Sequence, residues 1–200
     1  MEFDATYTFD SGCENAEYGI INGNNTIVFI KAGAQGSYRG YEDKYLRMAK
    51  MLHELNGCSV ICASNPTFTS FEDFDVKMLS NFIDNRRRSD TRLYYIGVSN
   101  GAYQGIVNAT KHFVFQKILL VNMPLMINSH KIKEGIVKLI DTRVECVFGK
   151  KDPSFRYIPF FEHSIKDYSG KVKIKLIEGA DHNFVGLMNE FIELGELIFE

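Results

Sequence analysis

From Thr26 to the C-terminus the chain alternates between two kinds of stretch, and that alternation most restricts its fold. Short apolar runs read as strands: Thr26–Ile30, Ser59–Ala63, Leu93–Val98, Lys117–Val121, Arg143–Phe148 and Val172–Ile177. Between and after them lie stretches with apolar residues at helical spacing: Tyr41–Leu55, Glu72–Asn85, Ala102–Lys111, His130–Leu139, Phe155–His163, and a last one opening at His182. Strand–helix alternation of this kind predicts an α/β fold with a mainly parallel sheet and right-handed crossovers. Ser59–Ala63 is apolar without interruption, as a strand buried on both faces would be. Upstream, residues 3–8 and Glu17–Ile21 also read as strands. They are joined to each other and to Thr26–Ile30 by turn chemistry alone, including Asn22-Gly23-Asn24-Asn25, so antiparallel pairing is expected there. The expectation is an eight-stranded, mostly parallel sheet with one antiparallel strand in a three-layer α/β/α sandwich, formed by one domain over residues 1–200.

The fifth strand runs into Gly97-Val98-Ser99-Asn100-Gly101 and then directly into a helical stretch. A Gly-x-Ser-x-Gly pattern at a strand–helix junction forms a sharp elbow. It pushes the serine side chain out above the carboxyl ends of the sheet and leaves no room for a Cβ on either side. Ser99 is therefore the candidate nucleophile. Arg86-Arg87-Arg88 reads as a solvated helix end favoured by the macrodipole.

A serine hydroxyl needs a base within reach, and the base needs an orienting partner. Of the five histidines, His53, His112, His130 and His163 fall on or beside helices. His182 alone follows the carboxyl end of a strand, in Glu178-Gly179-Ala180-Asp181-His182, the edge where ligands bind in open α/β sheets. The acid should lie at the same edge, and Asp152 does, in Gly149-Lys150-Lys151-Asp152-Pro153. Asp181 is too close to His182 in sequence to reach its ring, Asn122 carries no charge, and Asp75 lies in or before a helix. An oxyanion needs backbone N–H donors. Asn100 at the helix start should supply one. The small-residue loop Ala32-Gly33-Ala34-Gln35-Gly36 should supply the other through Ala34, with Gln35 as the alternative.

These residues resemble the α/β-hydrolase superfamily: the order Ser99, Asp152, His182, the elbow, the acid turn and the base loop fall where that family places them. The resemblance covers essentially the whole chain and implies acyl-transfer chemistry. The family's oxyanion loop often begins His-Gly, and here it reads Ala32-Gly33. Many members also insert a lid before the acid turn, whereas Asn122–Arg143 has room for one short helix, so no cap domain and an open site are expected. The expected activity is cleavage of a small-molecule carboxylic ester or thioester through an acyl-enzyme. A non-catalytic binding protein, an acyltransferase or a peptidase would share the constellation. Gln35, Phe68, Phe155 and Phe184 are the expected substrate-binding residues, with Phe71 nearby. Lys31, Arg39, Lys150 and Lys151 are candidates for favouring an anionic substrate.

A net charge of −2 supplies no bulk field toward nucleic acid, and no apolar run is long enough to span a bilayer. Cys13, Cys58, Cys62 and Cys146 show no metal spacing and read as buried, reduced thiols. No metal or cofactor, no nucleic-acid or membrane partner, a cytoplasmic location and a monomer or homodimer are the expectations.

Overall fold

The computed structural model describes every residue except 1, 11, 13, 68–70, 72, 87–89, 140 and 169. Its strands are β1 (Ala5–Asp10), β2 (Asn15–Ile21), β3 (Asn24–Lys31), β4 (Cys58–Ala63), β5 (Arg92–Val98), β6 (Lys117–Val121), β7 (Arg143–Gly149) and β8 (Val172–Ile177). They form one sheet in the order β1-β2-β4-β3-β5-β6-β7-β8. β2 is antiparallel to both neighbours, and every pair from β4 onward is parallel. One strand thus runs against the rest. One detail differs from the sequence reading: β2 leads through the turn signal into β3 but pairs with β4, not β3. The crossover through α1 returns the chain as β4 between them, in the parallel register to β3 that a right-handed connection gives.

The helices are α1 (Lys44–Asn56), α2 (Asp75–Asp84), α3 (Asn100–Gln104), which runs through a π-helical segment (Gly105–Ala109) into α4 (Thr110–His112), then α5 (Ser129–Val137), α6 (Ile158–Ser164) and α7 (Met188–Glu193). Strand side chains point to opposite faces in turn, and β3 shows the consequence. Ile27 and Phe29 join the core under α2 through α6, with Phe71, Tyr95 and Phe115. Val28 and Ile30 join the opposite core, with Leu46 and Leu52 of α1 and Phe191 of α7. Three layers result. β4 is buried along its whole length, as its unbroken apolar run requires.

The last helix begins later than its apolar pattern suggests. Residues 181–187 stay in turns and α7 starts at Met188. Phe184 has φ 57 and Gly186 φ 75, conformations a helix cannot contain. His182 consequently lies in a loop rather than on a helix. Cys58, Cys62 and Cys146 are buried free thiols; Cys13 lies outside the described residues.

Candidate active site

Ser99 sits at φ 53, ψ −119, a backbone state an L-residue adopts only when its surroundings enforce it. The neighbouring glycines show what enforces it. A Cβ on Gly97 would come within 2.5 Å of the Gly101 carbonyl oxygen. One on Gly101 would strike the carbonyls of Lys31 and Ala32. The elbow helix therefore packs directly against β5 and against the exit of β3. The Ser99 N–H donates to the Val121 carbonyl at 2.8 Å, and the Tyr95 hydroxyl donates to the Gly101 carbonyl at 2.7 Å.

The structure brings Ser99, His182 and Asp152 together from three loops at the carboxyl edge. His182 Nε2 lies 2.9 Å from Ser99 Oγ, and His182 Nδ1 pairs with Asp152 Oδ2. The carboxylate can only accept, so Nδ1 carries the proton and Nε2 is left to accept from the serine hydroxyl. The Asp152 side chain is 1% exposed and that of His182 is 40% exposed. The acid is thus shielded while the base faces solvent. Asp152 Oδ1 also accepts from the Ser154 N–H, which caps the turn beginning at Pro153.

The other histidines lie elsewhere. His53 Nδ1 meets the Cys58 carbonyl, His130 borders a cleft between α5 and α6, and His163 is an exposed residue of α6. Nor, among the described residues, is a cysteine a rival nucleophile: Cys58, Cys62 and Cys146 are buried, and burial pushes the Cys58 thiol up to about 11 and Cys146 to about 12.

The loop after β3 passes against the nucleophile: a Cβ on Gly33 would lie 3.3 Å from Ser99 Cβ. The Gln35 N–H donates to the Asn65 carbonyl at 2.8 Å, so among the two loop candidates Ala34 is the one whose amide is not engaged there. Two buried asparagines hold the loops in place. Asn65 donates through Nδ2 to the Ala32 carbonyl at 2.9 Å and to Asn100 Oδ1 at 3.1 Å, and its N–H donates to the Gly36 carbonyl at 2.9 Å. It links the β3 loop to the elbow. Asn122 donates through Nδ2 to the Asp181 and His182 carbonyls, both at 3.1 Å, and its Oδ1 accepts from the Gly149 N–H at 2.9 Å. It links the base loop to the acid turn. Asn122 adopts φ 48, a region asparagine tolerates better than most residues.

The sequence reading passed over both asparagines. It set Asn122 aside because it lacks charge, and it did not single out Asn65. The available signal was position: each immediately follows, or nearly follows, a strand at the carboxyl edge.

A cavity of about 380 Å³ opens beside the serine, with Gly33, Ala34, Lys44, Tyr45, Ser99 and His182 in its wall. Of the expected substrate-binding residues, Gln35, Phe155 and Phe184 are not in that wall. Phe184 is 1% exposed and packs edge-on against Phe191 in the core; its positive φ turns the ring inward. Phe71 is likewise buried, among Phe29, Tyr95 and Phe113. Phe155 is partly exposed on the turn after Asp152. Gln35 points its amide to Thr67 Oγ1 at 3.1 Å and lines a neighbouring polar cleft. Phe68 lies outside the described residues.

Three of the four expected cations are also occupied. Lys31 is buried in an ion pair with Asp75 at 2.6 Å and donates to the Ser64 carbonyl at 2.7 Å. Arg39 pairs with Asp43 and Glu2, and Lys150 pairs with Glu178. Lys151 is exposed. Among the described residues no group of three or more His, Cys, Asp or Glu side chains could hold a metal ion, and no helix is long and apolar enough to cross a membrane.

The chain matches no protein-family model and no curated protein. Solved structures do match it over nearly its full length. Est1E from Butyrivibrio proteoclasticus is 13% identical, covers 97% of each chain and superposes with a TM-score of 0.73. An α/β serine hydrolase homologue from Coxiella burnetii is 19% identical, covering 98% of this chain and 97% of that one, with a TM-score of 0.68. XC6422 from Xanthomonas campestris, described as a serine hydrolase without a lid, is 14% identical, covering 96% and 92%, with a TM-score of 0.64. With its strand order, its single antiparallel strand and its elbow, the chain has the fold of the α/β-hydrolase superfamily.

Proposed function

We propose that the protein is a serine hydrolase that cleaves a carboxylic ester or thioester through an acyl-enzyme on Ser99. The observation that carries this reading is the unbroken hydrogen-bonded line from Ser99 through His182 to Asp152, with Ser99 held at the tip of a strained elbow. Solved structures of like fold are described as esterases and serine hydrolases, which supports the same class.

In this reading His182 Nε2 takes the hydroxyl proton as Ser99 Oγ attacks the carbonyl carbon. Asp152 holds the imidazole in the tautomer that can accept and stabilises the imidazolium that forms. The developing oxyanion is held by the N–H groups of Asn100 and Ala34. His182 then protonates the departing alcohol or thiol. In the second half a water, deprotonated by the same nitrogen, attacks the acyl-enzyme, and Ser99 leaves with its proton restored. No cofactor enters either half. The segment between β6 and β7 folds into α5 alone, consistent with a site that has no cap domain.

Labelling with a fluorophosphonate tests the reading directly, because that probe needs an activated serine. The expected result is one label on Ser99, lost in Ser99→Ala. A panel of short and long acyl esters and thioesters should show turnover that falls by about 10⁴-fold or more in that variant. Turnover that survives Ser99→Ala, or a native protein that neither labels nor turns over the panel, overturns it.

A further inference from the structure

The wall of the cavity beside Ser99 includes a cationic residue that the catalytic line does not use. Lys44, the first residue of α1, lines it together with Ser99 and His182. The residue is 8% exposed. Its ammonium lies 4.7 Å from the centre of the Phe191 ring and 5.3 Å from that of Tyr45. Among the described residues no carboxylate or hydrogen-bond acceptor pairs with it, and no Asp or Glu lies in the cavity wall. The other buried lysines are different. Lys31 is matched by Asp75 at 2.6 Å and Lys117 by Glu145 at 2.6 Å.

The position of Lys44 is built rather than incidental. Gly40, at φ 72, lies against its stem: a Cβ there would come within 2.8 Å of Lys44 Cγ and 2.7 Å of Tyr45 Cδ2. An exposed lysine would normally extend its amine to water along the apolar surface. Here the amine is kept over two aromatic faces, where the ring quadrupoles offset part of its lost hydration. Burial pushes its pKa below the ordinary lysine value, the expected sign for an ammonium without an anion beside it. The amino end of α1 adds positive potential at the same place; Glu42 and Asp43 precede it in the chain, and the Asp43 carboxylate is tied to Arg39 at 2.7 Å rather than to Lys44. A cavity with one desolvated cation, a helix amino end and no carboxylate is complementary to an anion.

We propose that Lys44 is the docking point for an anionic group on the substrate, a carboxylate or a phosphate borne by the part of the ester or thioester that fills this cavity. The proposal rests on the hydrolase reading of Ser99 and names the charge class of its substrate. It also transfers the role of substrate cation from Lys31, Arg39 and Lys150, which are already paired, to a residue that the sequence presents only as a helix lysine.

The test compares 4-nitrophenyl esters of matched length: the glutaric acid monoester, its phosphonobutanoyl analogue and the neutral pentanoyl ester. Each is assayed with native protein, Lys44→Met and Lys44→Arg, and fluorophosphonate labelling of Ser99 is run alongside. A charge-assisted hydrogen bond lost from a desolvated site corresponds to about a 10- to 100-fold change. The ratio of kcat/KM for an anionic ester to that for the neutral one should therefore fall by about that factor in Lys44→Met and be largely retained in Lys44→Arg. Which anionic ester is preferred separates carboxylate from phosphate. A ratio that Lys44→Met leaves unchanged, in a protein whose Ser99 labels, overturns the Lys44 proposal and leaves the hydrolase reading intact. If Ser99 neither labels nor turns over any ester, the hydrolase reading fails, and calorimetry of glutarate and inorganic phosphate decides the anion site separately: binding to native protein and not to Lys44→Met supports it, and no binding overturns it. If Lys44→Met does not fold, competition on native protein reads the same point. Glutarate should inhibit neutral-ester turnover and glutaramide should not; equal inhibition by both overturns the proposal.

Discussion

The two halves of the candidate site are each fastened by one buried asparagine, and the two fasten differently. On the acid–base side the Asn122 N–H continues the β6–β7 pairing to the Val147 carbonyl at 2.8 Å, and the loops are held by its side chain, whose three hydrogen bonds all go to backbone: to the Asp181 and His182 carbonyls and from the Gly149 N–H. On the oxyanion side Asn65 divides the work. Its backbone pairs with Gly36 and Gln35, and only its amide nitrogen reaches Ala32 and Asn100. The difference teaches where precision is demanded of a side chain. The acid turn and base loop follow neighbouring strands β7 and β8 and stay paired just past them, the Lys150 N–H donating to the Ile177 carbonyl at 3.0 Å and the Lys151 N–H to the Ala180 carbonyl at 2.9 Å; from Asp181 onward it is the Asn122 side chain that ties the base loop to the strand ends. The oxyanion loop has backbone pairing of its own. A neutral amide suits both places, because it can donate and accept without placing another charge beside the imidazole.

Removing each side chain sharpens or breaks this contrast. Asn122→Ala should have the larger effect: it strands the His182 carbonyl and the Gly149 N–H and leaves the Asp181 carbonyl only the long bond from the Phe184 N–H at 3.4 Å, so we expect a loss of about 2–3 kcal/mol of stability by urea titration and a fall in kcat of about 10²-fold. Asn122→Asp keeps the acceptor and loses the donors, so it should not restore kcat. Asn65→Ala keeps the backbone pairs, and kcat should fall about 10-fold with KM little changed, as expected of a group that acts on the transition state through the oxyanion donors. Equal losses at the two positions would break the comparison.

The smallest effect is expected at Asp181, a surface tie on the base loop. Its Oδ1 accepts from the Asn183 and Val185 N–H groups, both at 3.0 Å. The Val185 bond is the main cause that holds its pKa below the ordinary carboxylate value. A lowered folded-state pKa means the stabilisation is present above the unfolded-state value and is lost as pH falls through the folded one. Asp181→Ala should therefore cost about 0.5–1 kcal/mol at pH 7. The gap between native and variant stability should close on acidification below the ordinary Asp range, as followed by thermal melts across pH. A gap that widens toward low pH would contradict the assignment.

Much of this arrangement can be read from local sequence. The elbow is readable because Gly97 and Gly101 have no substitute where a Cβ would meet backbone. Ser99, Asp152 and His182 are readable as a set because each follows a parallel strand, and parallel strands deliver their carboxyl ends to one edge. Phe71 and Phe184 are buried away from the site for the opposite reason. Both are near it in sequence, but which way a ring turns depends on the backbone dihedral and on what packs above it. Phe184, at φ 57, turns into the core.

The sequence by itself determined the layer architecture, the parallel order of the later strands, the elbow and the three residues that meet at the carboxyl edge, since periodicity, turn chemistry and glycine geometry are local properties. Only the tertiary structure decided that β4 separates β2 from β3, that Asn65 and Asn122 bind the loops together, and that Lys31 is neutralised while Lys44 is not. Those outcomes depend on which groups distant in sequence are brought within a few ångströms, and on how much water remains around a charge once they are.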